Sequence, residues 1–206
     1  MISINNLSKK YDDNVLFENF CFEVPEGSIT CLLGPSGSGK TTLLHMIAGL
    51  TKPDKGEISC KTDVSYIFQE TRLLPWATVR ENLEFVLRSK NQDKVWSSAV
   101  IHRNLSLVNL LEYCDYYPNQ LSGGMKQRAS IARALAHDGD IILMDEPFKG
   151  LDKELKKDIM IKIKELGKKS KKTILLVTHD EAEAIFLADA IYELEGKPVK
   201  LKKWRG

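Results

Sequence analysis

The sequence has few of the features that mark membrane-spanning, secreted or disulfide-bonded proteins. Its 206 residues contain no apolar stretch near the roughly 18 residues that a membrane helix needs, and the N-terminal MISINNLSKKY is no signal peptide. Its four cysteines are scattered, with no Cys-x-x-Cys pair and no adjacent histidine, which argues against a disulfide framework or a zinc site. We therefore expect a soluble protein of a reducing cytosol that could act at a membrane only through a partner.

A large excess of charge of one sign is also absent. The formal net charge is +2, which is too small by itself to indicate a nucleic acid or an acidic membrane surface as a partner. We therefore expect no nucleic-acid partner. The length is that of one large domain, or of one core with a smaller subdomain, and is ample for a buried core.

Three short apolar runs, at 28–33, 140–144 and 173–178, predict strands of a parallel sheet. The runs are continuous rather than alternating in polarity, which is typical of strands that are covered by helices on both faces. The predicted fold class is therefore α/β.

Each of these runs ends at a residue that could bind a ligand or take part in catalysis. The first ends at Gly34, the second at Asp145 and Glu146, and the third at His179. Ligands of open α/β sheets bind at the carboxyl ends of the strands. We therefore expect these three strand ends to meet at one site.

Helices are predicted between the strands. The first has its apolar residues on one face and a glycine near its end, namely Leu43, Ile47, Leu50 and Gly49. The second has the stripe Leu155, Ile159, Ile163 and Leu166, and Gly167 is expected to end it.

The remaining segments predict two additions to the parallel sheet. Residues 70–137 are expected to form a helical subdomain inserted into a core made of residues 1–69 and 138–206. Within that core, the N-terminal segments ISINNL, FENFCFEV and GEISC predict short antiparallel strands. The whole chain, 1–206, is then expected to be a single domain.

The stretch GPSGSGKTT matches the phosphate-loop pattern GxxxxGK[ST]. Its glycines would let backbone N–H groups surround phosphates, while Lys40 meets the β- and γ-phosphates and the Thr41 hydroxyl holds Mg²⁺. The preceding strand and following helix favour nucleotide binding over a plain glycine-rich turn. The predicted nucleotide-binding residues of this loop are Gly34, Pro35, Ser36, Gly37, Ser38, Gly39, Lys40, Thr41 and Thr42.

Three polar residues at the strand ends are candidates for the chemistry. Asp145 is expected to hold Mg²⁺ through a bound water, and Glu146 to orient and deprotonate a water that attacks the γ-phosphate. His179 is a candidate sensor of the same phosphate. A helix cap for Asp145 and a surface or core position for His179 are the structural alternatives.

A second helix start with the character of an anion site lies at 121–128, LSGGMKQR. Free N–H groups and the positive end of the helix dipole favour an anion at such a terminus. One small chain would thus carry two phosphate-binding helix ends, which calls for an explanation.

These motifs, in this order along nearly the whole chain, resemble the ATP-binding cassette ATPases. Gln69 matches the family's Q-loop glutamine, which contacts Mg²⁺ and water, and LSGG matches the family signature. Asp152 lies in a stretch that resembles the D-loop, and His179 matches the switch histidine. Tyr11 occupies the place of the aromatic that stacks on adenine.

The resemblance implies a fold, cofactors and an assembly. The fold would be a phosphate-loop NTPase core with a parallel sheet, an N-terminal antiparallel subdomain and an inserted helical signature subdomain. The cofactors would be ATP and Mg²⁺, with the metal near Thr41, Gln69 and Asp145. The catalytic residues would be Glu146, His179 and Gln69. Two copies would form a homodimer on ATP binding, each placing its signature residues over the ATP of its partner: Ser122, Gly123, Gly124 and Met125.

Two residues depart from the family pattern. Met125 stands where the signature usually has glutamine, and we expect it to preserve function because the backbone and Ser122 bind the phosphate. Lys149 stands where the family more often has a small residue, and it places a charge near the expected subunit contact.

A narrower resemblance lies at 72–76, RLLPW, which is similar to the nitrate, sulfonate, taurine and thiamine-precursor branch of bacterial importer cassettes. It implies an ATPase on the cytoplasmic face of the membrane that docks integral-membrane permease subunits near Gln69–Trp76. An extracytoplasmic solute-binding protein would complete the complex. Core packing of Leu73 and Leu74 is the alternative reading of this stretch.

Other assignments stay open at this stage. A soluble cassette ATPase could act on DNA or ribosomes, although the chain has neither a long coiled-coil insertion nor a second cassette. A cassette of an exporter or lipoprotein-release complex is a further alternative.

Overall fold

The structure is a computed structural model that describes residues 1–60, 63–90 and 93–204. In these ranges it contains two β-sheets and six α-helices, with short 3₁₀ turns between some of them. The strands are β1 (Ile2–Tyr11), β2 (Asn14–Val24), β3 (Ile29–Leu33), β4 (Lys55–Cys60), β5 (Val64–Ile67), β6 (Ile141–Asp145), β7 (Thr173–Val177), β8 (Ala190–Glu195) and β9 (Lys200–Lys203). The helices are α1 (Lys40–Ile47), α2 (Val79–Leu87), α3 (Lys94–Leu107), α4 (Gly123–His137), α5 (Lys153–Ser170) and α6 (Glu181–Leu187).

The larger sheet has six strands in the order β5-β6-β7-β3-β8-β9. All its neighbouring strands are parallel except β8 and β9, which are antiparallel. The three apolar runs of the sequence form β3, β6 and β7, and every residue of these strands is buried. The predicted α/β fold is confirmed, and the carboxyl ends of the three strands meet at one edge of the sheet.

Alternate residues of these strands supply two cores. Ile141 and Leu143 of β6 pack into one hydrophobic cluster, whereas Ile142 and Met144 pack into the other. Since successive side chains of a strand point to opposite faces, a continuous apolar run is what a sheet covered on both sides requires.

The smaller sheet has three antiparallel strands in the order β2-β1-β4, as predicted for the N-terminal segments. Phe17 and Phe20 of β2 contact each other edge to face, with ring centroids 5.1 Å apart. This sheet and α1 cover one face of the parallel sheet, because their buried residues share one cluster with Leu143 and Leu175.

The segment between the Q-loop glutamine and β6 is helical, as the sequence predicts. The N-cap of α2 is Thr78, whose side chain forms a capping box with Glu81. The N-cap of α3 is Asp93, and that of α4 is Ser122. No helix in the described ranges is both long and apolar enough to cross a bilayer.

Two details of the helix predictions are wrong. Leu50 lies beyond the end of α1 and is exposed, because Gly49 adopts φ 72° and turns the chain away. Gly167 lies inside α5, which continues to Ser170 before Lys171 adopts φ 49°. A Cβ atom at Gly167 would lie 3.1 Å from the Cδ1 atom of Ile174, so this glycine permits close packing of the helix on the sheet.

Candidate nucleotide-binding site

The phosphate loop connects β3 to α1, where two glycines are required for different reasons. Gly39 adopts φ 88°, a left-handed conformation that residues with a Cβ rarely adopt. A Cβ atom at Gly34 would approach the carbonyl oxygen of Leu194 to 2.9 Å. The loop can therefore keep this curvature only with glycine at these positions.

Lys40 places its ammonium group inside this loop. Its side chain is buried, and its Nζ atom donates to the carbonyl oxygens of Gly34 and Pro35 at 2.7 and 2.8 Å. Burial lowers the pKa of Lys40, and the negative charges of Glu146 and Asp145 raise it in part. A largely desolvated cation bonded only to neutral oxygens is suited to attract the oxygens of a phosphate.

Asp145, at the end of β6, is almost completely buried beside Thr41. Burial raises the pKa of Asp145, and a hydrogen bond with Thr41 opposes that rise. Gln69 lines the same cavity as these two residues. The three residues offer a carboxylate, a hydroxyl and an amide, which are the oxygen ligands that Mg²⁺ prefers.

The number of these donors also fits a magnesium–phosphate site. Mg²⁺ in nucleotide sites typically takes one or two protein ligands and completes its shell with water and phosphate. The donor set of Thr41, Gln69 and Asp145 is of that kind.

One cavity of about 250 Å³ joins most of the predicted residues. Its lining is Tyr11, Leu16, Ser36, Gly37, Gly39, Lys40, Thr41, Thr42, Gln69, Asp145 and Glu146. Tyr11 ends β1 and is about half exposed, so its ring is accessible at the rim. Leu16 was not predicted, since nothing distinguishes it in the sequence from other apolar residues of β2. Gly34, Pro35 and Ser38 contribute through their contacts with Lys40.

Glu146 and His179 lie next to each other, as the convergence of the strand ends predicts. The Nδ1 atom of His179 lies 3.1 Å from the Oε1 atom of Glu146. Glu146 adopts φ 45°, and its N–H donates to the carbonyl oxygen of Val177 at 2.9 Å. The left-handed backbone conformation of Glu146 sets the direction in which its side chain projects from the end of β6. Its ion pair with Lys149, in which Nζ lies 3.8 Å from Oε2, was not predicted.

The signature segment lies at the start of α4. The Oγ atom of Ser122 accepts a hydrogen bond from the N–H of Met125 at 3.3 Å, and nothing lies within 4 Å of a Cβ atom built on Gly123. None of the residues 122–125 lines the cavity that holds Lys40. Asp152 caps α5 by accepting from the N–H of Leu155 at 3.0 Å.

A strand, a glycine loop around a lysine, and a buried carboxylate at the end of another strand of the same sheet define a phosphate-loop nucleotide-binding protein of the α/β class. The comparisons with known proteins are more specific. A family model described as "ABC transporter" matches residues 17–149, and the chain belongs to that family. It is accordingly an ATPase.

Named relatives and solved structures extend this match over the whole chain. A probable sulfate/thiosulfate import ATP-binding protein CysA from Chlorella vulgaris is 39% identical, and the alignment covers 97% of this chain and 90% of that protein. An Fe(3+) ions import ATP-binding protein FbpC from Fusobacterium nucleatum is 38% identical over 92% of this chain but only 54% of its own length. The dimeric structure of the bacterial ABC transporter cassette MJ0796 superposes with a TM-score of 0.92 at 32% identity and full coverage of both chains.

Proposed function

We propose that the chain is the ATP-hydrolysing, energy-coupling subunit of an ABC importer. In this proposal two copies close on two ATP molecules and drive a separate permease through a conformational cycle. One observation carries the proposal: Lys40 and Glu146 share a cavity, whereas the glycine-rich start of α4 lies outside it. The second anion site then has a function only if it acts on the nucleotide of another copy. The dimeric state of the structurally similar cassette supports this interpretation.

The roles of the residues follow from their positions. Lys40 and the loop N–H groups would bind the phosphates, and Tyr11 would stack on the base. Thr41, Gln69 and Asp145 would hold Mg²⁺, which neutralises charge on the phosphates when it is bound. Glu146 would accept a proton from the attacking water.

Two further groups would complete the site. His179 would contact the γ-phosphate while its Nδ1 atom stays close to Glu146. The hydroxyl of Ser122 and the N–H groups of Gly123 and Gly124 would bind the partner's γ-phosphate at the positive end of α4. ATP binding would thus close the dimer and hydrolysis would reopen it.

The segment 71–76 is the proposed contact with the permease. Arg133 donates to the carbonyl oxygens of Thr71 and Arg72 at 3.0 and 2.7 Å, and the Oδ1 atom of Asn82 accepts from the N–H of Leu74 at 2.8 Å. Trp76 is 74% exposed although its neighbour Ala77 is buried. A segment whose backbone is held by these hydrogen bonds and that exposes one large aromatic side chain is suited to dock a protein partner.

The direction of transport and its cargo rest on narrower support. Relatives that are named for import of sulfate/thiosulfate and of Fe(3+) favour an importer. The RLLPW segment favours the nitrate, sulfonate and taurine type. An extracytoplasmic solute-binding protein and a location at the cytoplasmic face of the membrane belong to this proposal.

The Glu146→Gln variant tests the ATP-sandwich mechanism. Loss of the base should slow hydrolysis by on the order of 10²-fold or more, while ATP still binds. The variant should therefore accumulate as an ATP-bound dimer, measured by light scattering coupled to gel filtration with saturating ATP and Mg²⁺.

The Lys40→Ala variant is the matched control, since it should lose nucleotide affinity and stay monomeric under the same conditions. A monomeric Glu146→Gln protein that retains bound ATP would contradict the sandwich.

A further inference from the structure

Lys149 lies in the loop that follows β6 and has no role in the proposed cycle. Its backbone N–H donates to the carbonyl oxygen of Glu146 at 3.3 Å, so the loop closes a turn at this point. The same turn brings its Nζ atom to within 3.8 Å of the Oε2 atom of Glu146. The lysine side chain is 63% exposed, whereas that of Glu146 is only 12% exposed.

The carboxylate of Glu146 is engaged at both of its oxygens. Oε2 faces Lys149, and Oε1 lies 3.1 Å from the Nδ1 atom of His179. The left-handed backbone of Glu146 limits where the side chain can point, so these two contacts favour one orientation of the carboxylate.

Both partners of the carboxylate lie outside the lining of the nucleotide cavity. Glu146 lines the nucleotide cavity and also a second cavity of about 250 Å³. Lys149 and His179 line the second cavity and do not line the first. Glu146 is thus the residue that the two cavities share, and its two partners line only the second.

This geometry has a consequence for hydrolysis. A general base has to turn a lone pair toward the water that attacks the γ-phosphate. An ammonium group that lies outside the nucleotide cavity attracts the carboxylate away from that water. Because the lysine of this ion pair is largely exposed, the effect of the pair on orientation is modest and sensitive to salt.

We propose that Lys149 is a positioning residue that holds Glu146 toward the second cavity and thereby restrains hydrolysis. The inference rests on the proposed role of Glu146 as the base. The loop of Lys149 also touches the start of α4, because a Cβ atom at Gly124 would lie 3.2 Å from the carbonyl oxygen of Gly150. Closure of a partner over α4 would therefore act on the loop that carries the restraint.

The test compares Lys149→Met, Lys149→Arg and Lys157→Met in the full-length chain. Lys157 is an exposed residue of α5 and serves as the charge-matched control. Lys149→Met should raise kcat about two- to fivefold, the range expected for loss of an exposed ion pair. The KM for ATP should stay within about twofold of the wild-type value, since Lys149 does not line the nucleotide cavity. Lys149→Arg and Lys157→Met should keep the wild-type kcat.

The salt dependence of kcat is a second measurement, and a purely structural role of Lys149 would not change it. Raising the NaCl concentration should raise the wild-type kcat toward that of Lys149→Met, whose own rate should change less. An unchanged or lower kcat for Lys149→Met would overturn the inference, and so would an equal increase in Lys149→Arg.

Glu146→Gln separates this inference from the proposed function. If Glu146→Gln hydrolyses ATP at the wild-type rate, the role of Glu146 as the base is wrong. If Glu146→Gln is slow but Lys149→Met has wild-type kinetics, only the inference about Lys149 fails. The Glu146→Gln/Lys149→Met double variant should be as slow as Glu146→Gln alone, because there is no base left to release.

Discussion

At the scale of single residues, the phosphate loop and the start of α4 in one chain are proposed to bind two different ATP molecules. Lys40 is buried in its own phosphate loop, whereas Ser122 is exposed at the start of α4 and lies outside the nucleotide cavity. Nucleotide affinity of the monomer should therefore depend on Lys40 and not on Ser122.

The Ser122→Ala variant checks this separation. We expect its ATPase rate to fall about tenfold or more, because one donor to the partner's phosphate is lost. At protein concentrations too low for dimer formation, the affinity of Ser122→Ala for ATP should stay within about twofold of the wild-type value. The Lys40→Ala variant should lose most of its affinity under the same conditions. Calorimetric titration would measure both. Equal losses of affinity in the two variants would show that the signature acts within one chain.

Loss of the Ser122 side chain also removes a helix cap. The cap contributes on the order of 1 kcal/mol, so a small decrease in the free energy of unfolding is expected and does not bear on the mechanism. Urea unfolding of the same variant would measure this effect separately.

At the scale of elements, a partly buried ion-pair cluster connects α5 to the segment around His179. Lys156 of α5 lies 2.5 Å from the Oε1 atom of Glu183 and 2.7 Å from the Oδ2 atom of Asp180. Glu183 also accepts a hydrogen bond from the Oγ1 atom of Thr178 at 2.6 Å. The cluster thus fixes the residues on both sides of His179.

Replacing Lys156 with Met should destabilise the fold. Glu183 is buried but Lys156 is partly exposed, so removal of the cation should cost roughly 1–3 kcal/mol of the free energy of unfolding. The exposed control Lys157→Met should change that free energy by no more than about 0.5 kcal/mol. Urea titration gives both values, and equal stabilities of the two variants would contradict the role of the cluster.

The same cluster gives the stability a dependence on pH. The hydrogen bond from Lys156 lowers the pKa of Asp180 below its ordinary value of 3.8. A carboxyl with a lowered folded-state pKa stabilises the fold above its unfolded-state pKa, and this contribution is lost as the pH falls through the folded-state value. Stability should therefore decrease below about pH 4, and this decrease should be smaller in Lys156→Met.

The strands and helices also show how much of the fold can be predicted from the sequence alone. Continuous apolar runs identify β3, β6 and β7, because only strands covered on both faces need them. The end of α5 could not be predicted, since Gly167 is kept for its close contact with Ile174 and not as a stop signal.

In the site, motif spacing predicts which residues meet but not how they are oriented. The sequence places Glu146 and His179 at neighbouring strand ends, and the structure brings them to 3.1 Å. The ion pair with Lys149 depends on the positive φ of Glu146 and on a tight turn, neither of which has a sequence signal here. Contacts of this kind depend on backbone geometry, so they cannot be predicted from motif spacing in the sequence.

At the scale of the whole molecule, energy coupling requires a surface that hydrolysis does not need. Trp76 is highly exposed and lies outside the nucleotide cavity. A change there should separate transport from hydrolysis.

The Trp76→Ala variant should keep the basal ATPase rate of the isolated chain within about twofold. In membrane vesicles with its permease, it should lower ATP-driven uptake by about fivefold or more, because a buried aromatic anchor often contributes more than 1 kcal/mol to an interface. Ile185→Ala removes another exposed apolar side chain, on α6, and is the matched control. Undiminished uptake by Trp76→Ala would rule out this docking surface.

The edge strand β9 has a consequence for how copies of the chain avoid aggregation. An edge strand offers unpaired backbone groups to any other strand, and lysines at such an edge discourage that pairing. Three of the four residues of β9 are exposed lysines: Lys200, Lys202 and Lys203. Repulsion between these lysines on two copies of the chain opposes edge-to-edge pairing of their β9 strands, which is the contact that would lead to open-ended sheet growth.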